Sequence, residues 1–500
     1  MTPRTALATL VLAAPLACAP RASTPPAPTP APPAAEAPPS QPIPPVAADL
    51  TRPPELAPPP ALDLPPIVTR QLDNGLSLMI VEQHELPVAD FIMLVRTGGE
   101  ADPSGRGGLA SLTADMLDEG TATRGALQIA DQAAFLGADL STSSGWDRSF
   151  VSLHTTTAQM DSALALFGDV ILHPAFPEAD LKRVRKERLT SLLQLEDRGP
   201  AIADRVFDEV VFGDRNPYGH ALSGTRQSVA AITRSDITRF YGTHYRPNNA
   251  TLIVVGDVKP DDVERRVRSI FGPWQRGDIP VTEYGPVPPA KGRTIYLVDK
   301  PSAPQSSFRI GGVGVARSTP DYFAIEVMNT ILGGSFTSRL NQNLRETHGY
   351  TYGAFSGFSM RRRPGPFVAE AEIVAAKTDS ALLQFMAELK AIRDPVPEDE
   401  LTRAKQLLQL QLPGDFETTR SIASRLVPVA VYDLPLDFYN EYVGRIGAVT
   451  RSDVERVARE TIDPDSLDIV IVGDSKLVEP ALKALGIAPV ERLHFGSPLR

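Results

Sequence analysis

The sequence predicts an α+β fold built as two tandem homologous domains, each a mainly antiparallel sheet covered on one face by helices. Three observations lead there. The chain has 500 residues, more than one ordinary core accommodates. It repeats itself: Ile232–Val258 (ITRSDITRFYGTHYRPNNATLIVVGDV) matches Val449–Ser475 (VTRSDVERVARETIDPDSLDIVIVGDS) at a gapless offset of 217 residues. Each repeat also runs through the same succession of alternating strand signals and 3.6-period helical signals.

The elements follow in order. Paired strand signals open each half, Leu76–Glu82 with Val88–Arg96 and Thr294–Val298 with Ser306–Gly312. A helix comes next, Leu109–Asp118 or Asp321–Leu332. Two more strands follow, Asp139–Ser144 with Ser149–His154, and Thr351–Ser359 with Phe367–Val374. Long helices come after them. In Lys377–Arg393, Leu382, Phe385, Leu389 and Ile392 fall on one face. A β-branched strand closes each half, Thr251–Val255 or Asp468–Val472. A second pair of matches, DSALALF with DSALLQF and PEADLKR with PEDELTR, lies upstream in the same order. Strands and helices in separate runs imply α+β rather than a parallel sheet.

The ends are of a different character. Residues 1–19 read as an export signal: Arg4, then the apolar run Ala6–Ala17, too short to span a bilayer. Cys18, the only cysteine, closes that run and is a lipidation candidate, although Pro15 and Leu16 sit one place off the usual box. Cleavage after Ala19 at a small-x-small site is the other reading. Residues 20–66 form a Pro/Ala-rich linker holding 19 of the 48 prolines, a semi-rigid tether. The domains then occupy 67–276 and 293–490, with 277–292 as the Pro/Gly-rich connection. The expected location is the periplasm, with a possible lipid anchor to the membrane. A net charge of −10 argues against nucleic acid as a partner. No stretch after the leader is long and apolar enough for a membrane span.

Gly107–Thr121, GGLASLTADMLDEGT, carries the chemistry, together with NPYGHALSGT, YRPNNATLIVVGDV and ILGGSFTSRLNQNLRETHGYTYGAFSGF. Jointly these segments resemble the pitrilysin/insulinase-like (inverzincin) zinc peptidases, in particular the subunits related to mitochondrial processing peptidase, over roughly Ile67–Leu485. In that family the helix carries H-x-x-E-H. Here the histidine positions hold Ser111 and Asp115, and the glutamate position holds Ala114. Zinc needs two imidazoles one helical turn apart and a third ligand, with a glutamate acting on the bound water. The family's third ligand falls at Leu192–Gln194, where no carboxylate stands, and Glu187 lies too early. His154, His173, His220 and His244 form no i,i+4 pair that could substitute.

The resemblance implies that an arginine, and a tyrosine seven residues later, hold the substrate backbone and the reacting carbonyl. Arg345 and Tyr352 match that pair. A guanidinium and a phenol suit the task as fixed donors. The bland alternative pairs Arg345 with a nearby acid and packs Tyr352 in a strand. The leading expectation is a non-catalytic, substrate-binding subunit of a heterodimeric periplasmic zinc metallopeptidase. This chain would bind no cofactor; zinc would sit in a homologous partner carrying H-x-x-E-H, and the substrates would be peptides, held partly by strand addition at Asp139–Ser144. The competing expectation is an inactive scaffold or peptide-binding protein.

Overall fold

The computed structural model describes residues 64–289 and 292–495, all within one compact unit, Pro58–Arg500. The leader, Cys18 and most of the proline-rich linker lie outside the described residues.

The first half runs β1 (Val68–Gln71), β2 (Ser77–Glu82), β3 (Val88–Val95), α1 (Leu109–Asp115), α2 (Ala126–Phe135), β4 (Asp139–Ser144), β5 (Ser149–Thr156) and α3 (Met160–Leu172). It continues with α4 (Glu178–Leu195), α5 (Gly199–Phe212), α6 (Arg226–Ala231), α7 (Arg234–His244), β6 (Ala250–Gly256) and α8 (Pro260–Phe271). The second half begins with β7 (Thr294–Asp299), β8 (Gln305–Val313), α9 (Tyr322–Leu332), β9 (Ala354–Phe358), β10 (Pro366–Val374) and α10 (Thr378–Ala391). It ends with α11 (Glu398–Gln411), α12 (Thr419–Tyr432), α13 (Phe438–Ala448), α14 (Arg451–Thr461), β11 (Asp468–Gly473), α15 (Ser475–Leu485) and β12 (Val490–Leu493).

Two six-stranded sheets result, ordered β1-β2-β6-β3-β5-β4 and β12-β7-β11-β8-β10-β9. The inner five strands correspond one for one. In each, only the closing strand's pairing with the first inner strand is parallel, β6 with β2 and β11 with β7. The sixth strand differs in origin. β1 precedes β2 and pairs antiparallel, whereas β12 returns from the far end and pairs parallel with β7.

The repeated TRSD is a helix start. Thr233 and Asp236 cap α7 reciprocally: the Asp236 N–H donates to Thr233 Oγ1 (3.2 Å) and the Thr233 N–H to Asp236 Oδ2 (2.9 Å). Thr450 and Asp453 do the same for α14 at 3.2 and 2.9 Å. Two orphan helix donors are thereby satisfied at each site.

Each sheet carries its own helices on one face, as the amphipathic patterns require. Leu78, Ile80, Phe91 and Met93 join a core with α1, α3 and α8. The opposite face is covered by a helix from the other half. Ile92, Leu94, Ile253 and Val255 pack with Ala423, Leu426 and Val427 of α12. Reciprocally, Ile202, Val206 and Phe207 of α5 pack on Val298, Val470 and Val472. The corresponding helices of the two halves are thus exchanged. That explains why β3 is buried on both faces rather than alternating.

Candidate functional site

The first half presents α1 through a tight glycine entrance. Gly108 has φ +90°, and a Cβ there would lie 2.8 Å from the Ser223 carbonyl. A Cβ on Gly224 would meet the Gly107 carbonyl at 2.3 Å, so the two segments need glycine for their backbones to approach. Asp102 caps the helix, accepting from the Gly108 and Ala110 N–H groups at 2.7 Å each. Burial pushes this carboxyl up to about 7.

Ser111 and Asp115 stand one turn apart on α1, as the spacing requires, and buried Ala114 lies between them. Both polar groups are taken by one residue, Arg188 of α4. Its guanidinium donates to Ser111 Oγ at 2.9 Å and to the Ser223 carbonyl at 3.2 Å, and it forms an ion pair with Asp115. The expected third-ligand span gives nothing to this group: Leu192 is buried and Leu193 points outward. Glu187 pairs with Arg183 at 3.2 Å. A hydroxyl, a methyl and one carboxylate already neutralised by a fixed cation do not fit zinc, which needs at least three His, Cys or carboxylate donors and would be repelled by the guanidinium. Among the described residues no group of three or more His, Cys, Asp or Glu is placed to hold a metal.

The histidines are scattered. His154 Nδ1 meets Asp90 Oδ1 at 3.0 Å, His173 meets Asp169 at 3.2 Å, and His220 meets the Asp214 carbonyl at 2.9 Å. His244 is buried at the end of α7, and burial lowers it to about 4.

Arg345 and Tyr352 lie on one folded segment of the second half. Arg345 falls in a π-helical turn, Asn341–Thr347. Its guanidinium stacks over Phe336 (4.2 Å to the ring centre) and lies 3.0 Å from Glu346 Oε1. Tyr352 precedes β9 rather than forming part of it, and it is 92% exposed. The segment is nevertheless pinned. Buried Asn341 accepts from the Ala354 N–H (3.0 Å) and donates to the Ser335 carbonyl (3.2 Å). The Ser356 N–H donates to the Gly333 carbonyl at 3.1 Å. Phe336 and Phe355 are also exposed.

Sequence reasoning missed the node joining the halves. The β4–β5 turn places buried Asp147 where Tyr218 OH donates to Oδ1 at 2.8 Å. From the second half, Tyr432 OH (3.1 Å) and the Arg362 N–H (2.7 Å) donate to Oδ2. The Arg361 guanidinium stacks over Trp146 and Tyr218, 4.5 Å from each ring. Burial first, and the neighbouring Asp147 charge second, push Glu100 up to about 8. Burial raises Asp208 to about 7 against the opposing pull of Arg361.

Two tandem α+β halves with exchanged helices, a peptidase-type helix without ligands and an arginine where a metal would be held define an inactive peptidase scaffold. Residues 78–210 match the family described as Insulinase (Peptidase family M16), and residues 231–408 match its Peptidase M16 inactive domain. The chain belongs to this family. It is 23% identical over 415 residues to a Helicobacter pylori protein named a non-peptidase homolog, spanning 82% of this chain and 95% of that one. It is 25% identical over 399 residues to an uncharacterized zinc protease of Streptomyces coelicolor, spanning 78% and 86%. A solved peptidase M16 inactive domain from Pseudomonas fluorescens aligns with a TM-score of 0.76 at 26% identity, covering 81% of this chain and 98% of that one.

Proposed function

We propose that this chain is the non-catalytic, substrate-binding subunit of a two-chain periplasmic zinc peptidase. The partner is a homologous chain with an intact H-x-x-E-H; it supplies zinc and the general base. This chain supplies Arg345 and Tyr352, which hold the peptide backbone and the carbonyl under attack. The observation that carries the reading is Tyr352. A tyrosine kept 92% exposed on a segment pinned by buried Asn341 contributes nothing to this chain's own packing and is free to meet a ligand. Export rests on residues 1–19, with Cys18 as the site of a lipid anchor. The exposed edge strand β4 offers its open side for strand addition by peptide.

The test is reconstitution with a homologous chain carrying an intact H-x-x-E-H. Arg345→Ala and Tyr352→Phe should reduce peptide turnover by about tenfold or more while the complex still forms. Unchanged turnover leaves the scaffold reading, which the sealed helix α1 favours: a chain whose Arg188 occupies both ligand positions is stable without metal chemistry.

A further inference from the structure

A second site lies on the face of the first sheet turned away from α1, in the cleft between β5 and α12. The cleft measures about 270 Å³. Its floor is set by the strand period: Phe150, Ser152 and His154 alternate along β5 and share one face, with Arg148 lining the cleft just before the strand begins. Asp90, directly opposite His154 in the β3–β5 register, closes one end. The roof is one helical stripe of α12, from Arg420 through Ser424 to Val427 and Pro428.

Two observations distinguish this cleft from ordinary packing. Asp90 is 5% exposed, and its Oδ2 has no hydrogen-bond partner, although Oδ1 meets His154 at 3.0 Å and lies 3.8 Å from Arg420 Nε. A buried carboxylate oxygen left without a donor is costly. At the other end, Arg148 Nε is also buried without an acceptor. Between them stand Ile92, Phe150 and Val427 as apolar wall. Pro428 adds a further acceptor: lacking an N–H, it leaves the Ser424 carbonyl without its usual helical donor. The mouth is bridged by Arg420 and Asp139, 2.9 Å apart and both well exposed.

We propose that this cleft binds a short linear peptide, its free ammonium at Asp90 and its carboxylate toward Arg148. The ends are chemically opposite and the middle is apolar with a spare backbone acceptor, which is the pattern of a zwitterion with peptide N–H groups between its charges. Length agrees. Arg148 and His154 are roughly 20 Å apart along β5 at ~3.3 Å per residue. Less the reach of the arginine, that leaves room for about three extended residues at ~3.5 Å each. The inference rests on this chain's own cleft and not on the paired-subunit reading.

The test uses the purified chain alone and titration calorimetry with L-alanyl-L-leucyl-L-alanine, its N-acetyl form and its C-terminal amide. Saturable binding of the free tripeptide is expected, weakened about tenfold or more by acetylation, by amidation and by Asp90→Asn. Because Asp90 is buried, Ser424→Trp serves as the second variant: it starts from an exposed helix position and fills the mouth. It should abolish binding while the circular dichroism melt stays in place. No saturable heat from the free tripeptide, equal affinity for the acetylated form, or undiminished binding to Ser424→Trp would each overturn the proposal. Since no partner chain is present, such a failure leaves the heterodimer reading untouched.

Discussion

Arg188 and Asp115 form an ion pair across α4 and α1 at the place where the family's helix presents its second histidine. The same guanidinium holds Ser111 at 2.9 Å, so one cation satisfies both former ligand positions. Arg188 is thereby the structural replacement for the metal: it ties the two helices together and removes the site's affinity for a second cation. Arg188→Ala leaves the Asp115 carboxylate facing Ala114 and Ser111 without a counter-charge. It should cost about 1–3 kcal/mol of stability in urea denaturation. An unchanged midpoint would mean that solvent takes over both contacts.

Rebuilding the metal site should therefore fail while Arg188 remains. Ser111→His, Ala114→Glu and Asp115→His restore the helix, and Leu192→Glu supplies a carboxylate one turn beyond Arg188 on α4. With Arg188 retained, zinc should bind substoichiometrically by metal analysis after gel filtration. Adding Arg188→Ala should bring binding toward one equivalent, because the competing cation is gone. Stoichiometric zinc in the variant that keeps Arg188 would show that the guanidinium swings aside freely.

Burial of Glu100 makes stability depend on pH in a stated direction. Its folded value, about 8, is above the ordinary carboxyl value of 4.5, so the folded state prefers the proton. The associated stability is full below about 4.5 and is lost as pH rises through 8. Asp102 and Asp208, both raised to about 7, act in the same direction. The urea midpoint should fall between pH 5 and pH 9. Glu100→Gln keeps the acceptor for the Gly98 N–H (2.8 Å) and should remove on the order of 2–4 kcal/mol of that fall. A parallel pH profile in the variant would place the dependence elsewhere.

The role proposed for Tyr352 is separable from folding. At 92% exposure its ring has little packing to lose, and Tyr352→Ala should change stability by less than about 0.5 kcal/mol. Asn341→Ala, which releases the Ala354 N–H and the Ser335 carbonyl, should cost about 2 kcal/mol and loosen the same segment. Hydrogen exchange across residues 331–358 distinguishes the two: fast exchange in the Asn341 variant only is expected.

Much of this fold was legible because its signals are local. TRSD at Thr233 and Thr450 marked both the repeat and, physically, two capping boxes. The β-branched runs of β6 and β11 announced the strand that closes each half. What was not legible is long-range. The face of α12 shows that Ala423 and Val427 are buried, but nothing in their spacing says that they lie on Ile92 and Ile253 of the other half. The four-residue edge strands β1 and β12 are too short and polar to stand out. At the site, Ser111, Ala114 and Asp115 were found from the frame of the motif. Arg188 was not, because an arginine on a long polar helix reads as an exposed residue and nothing local ties it to α1.

The junction of the halves gives the last prediction. Asp147 from the first half receives Tyr432 OH at 3.1 Å and the Arg362 N–H at 2.7 Å from the second, and Tyr218 from its own half. A buried carboxylate with three donors is held by them jointly, so removing one leaves the others to carry its charge. Tyr432→Phe should cost about 1 kcal/mol. Asp147→Ala strands two hydroxyls and an N–H beside the Arg361 guanidinium and should cost about 2–4 kcal/mol. In the double variant the costs should fall short of additive by about 1 kcal/mol, since Tyr432 has nothing left to donate to. Full additivity would show that the Tyr432 hydroxyl contributes independently of Asp147. A loss of the single cooperative transition in Asp147→Ala, with the halves melting separately, would identify this carboxylate as the principal coupling between them.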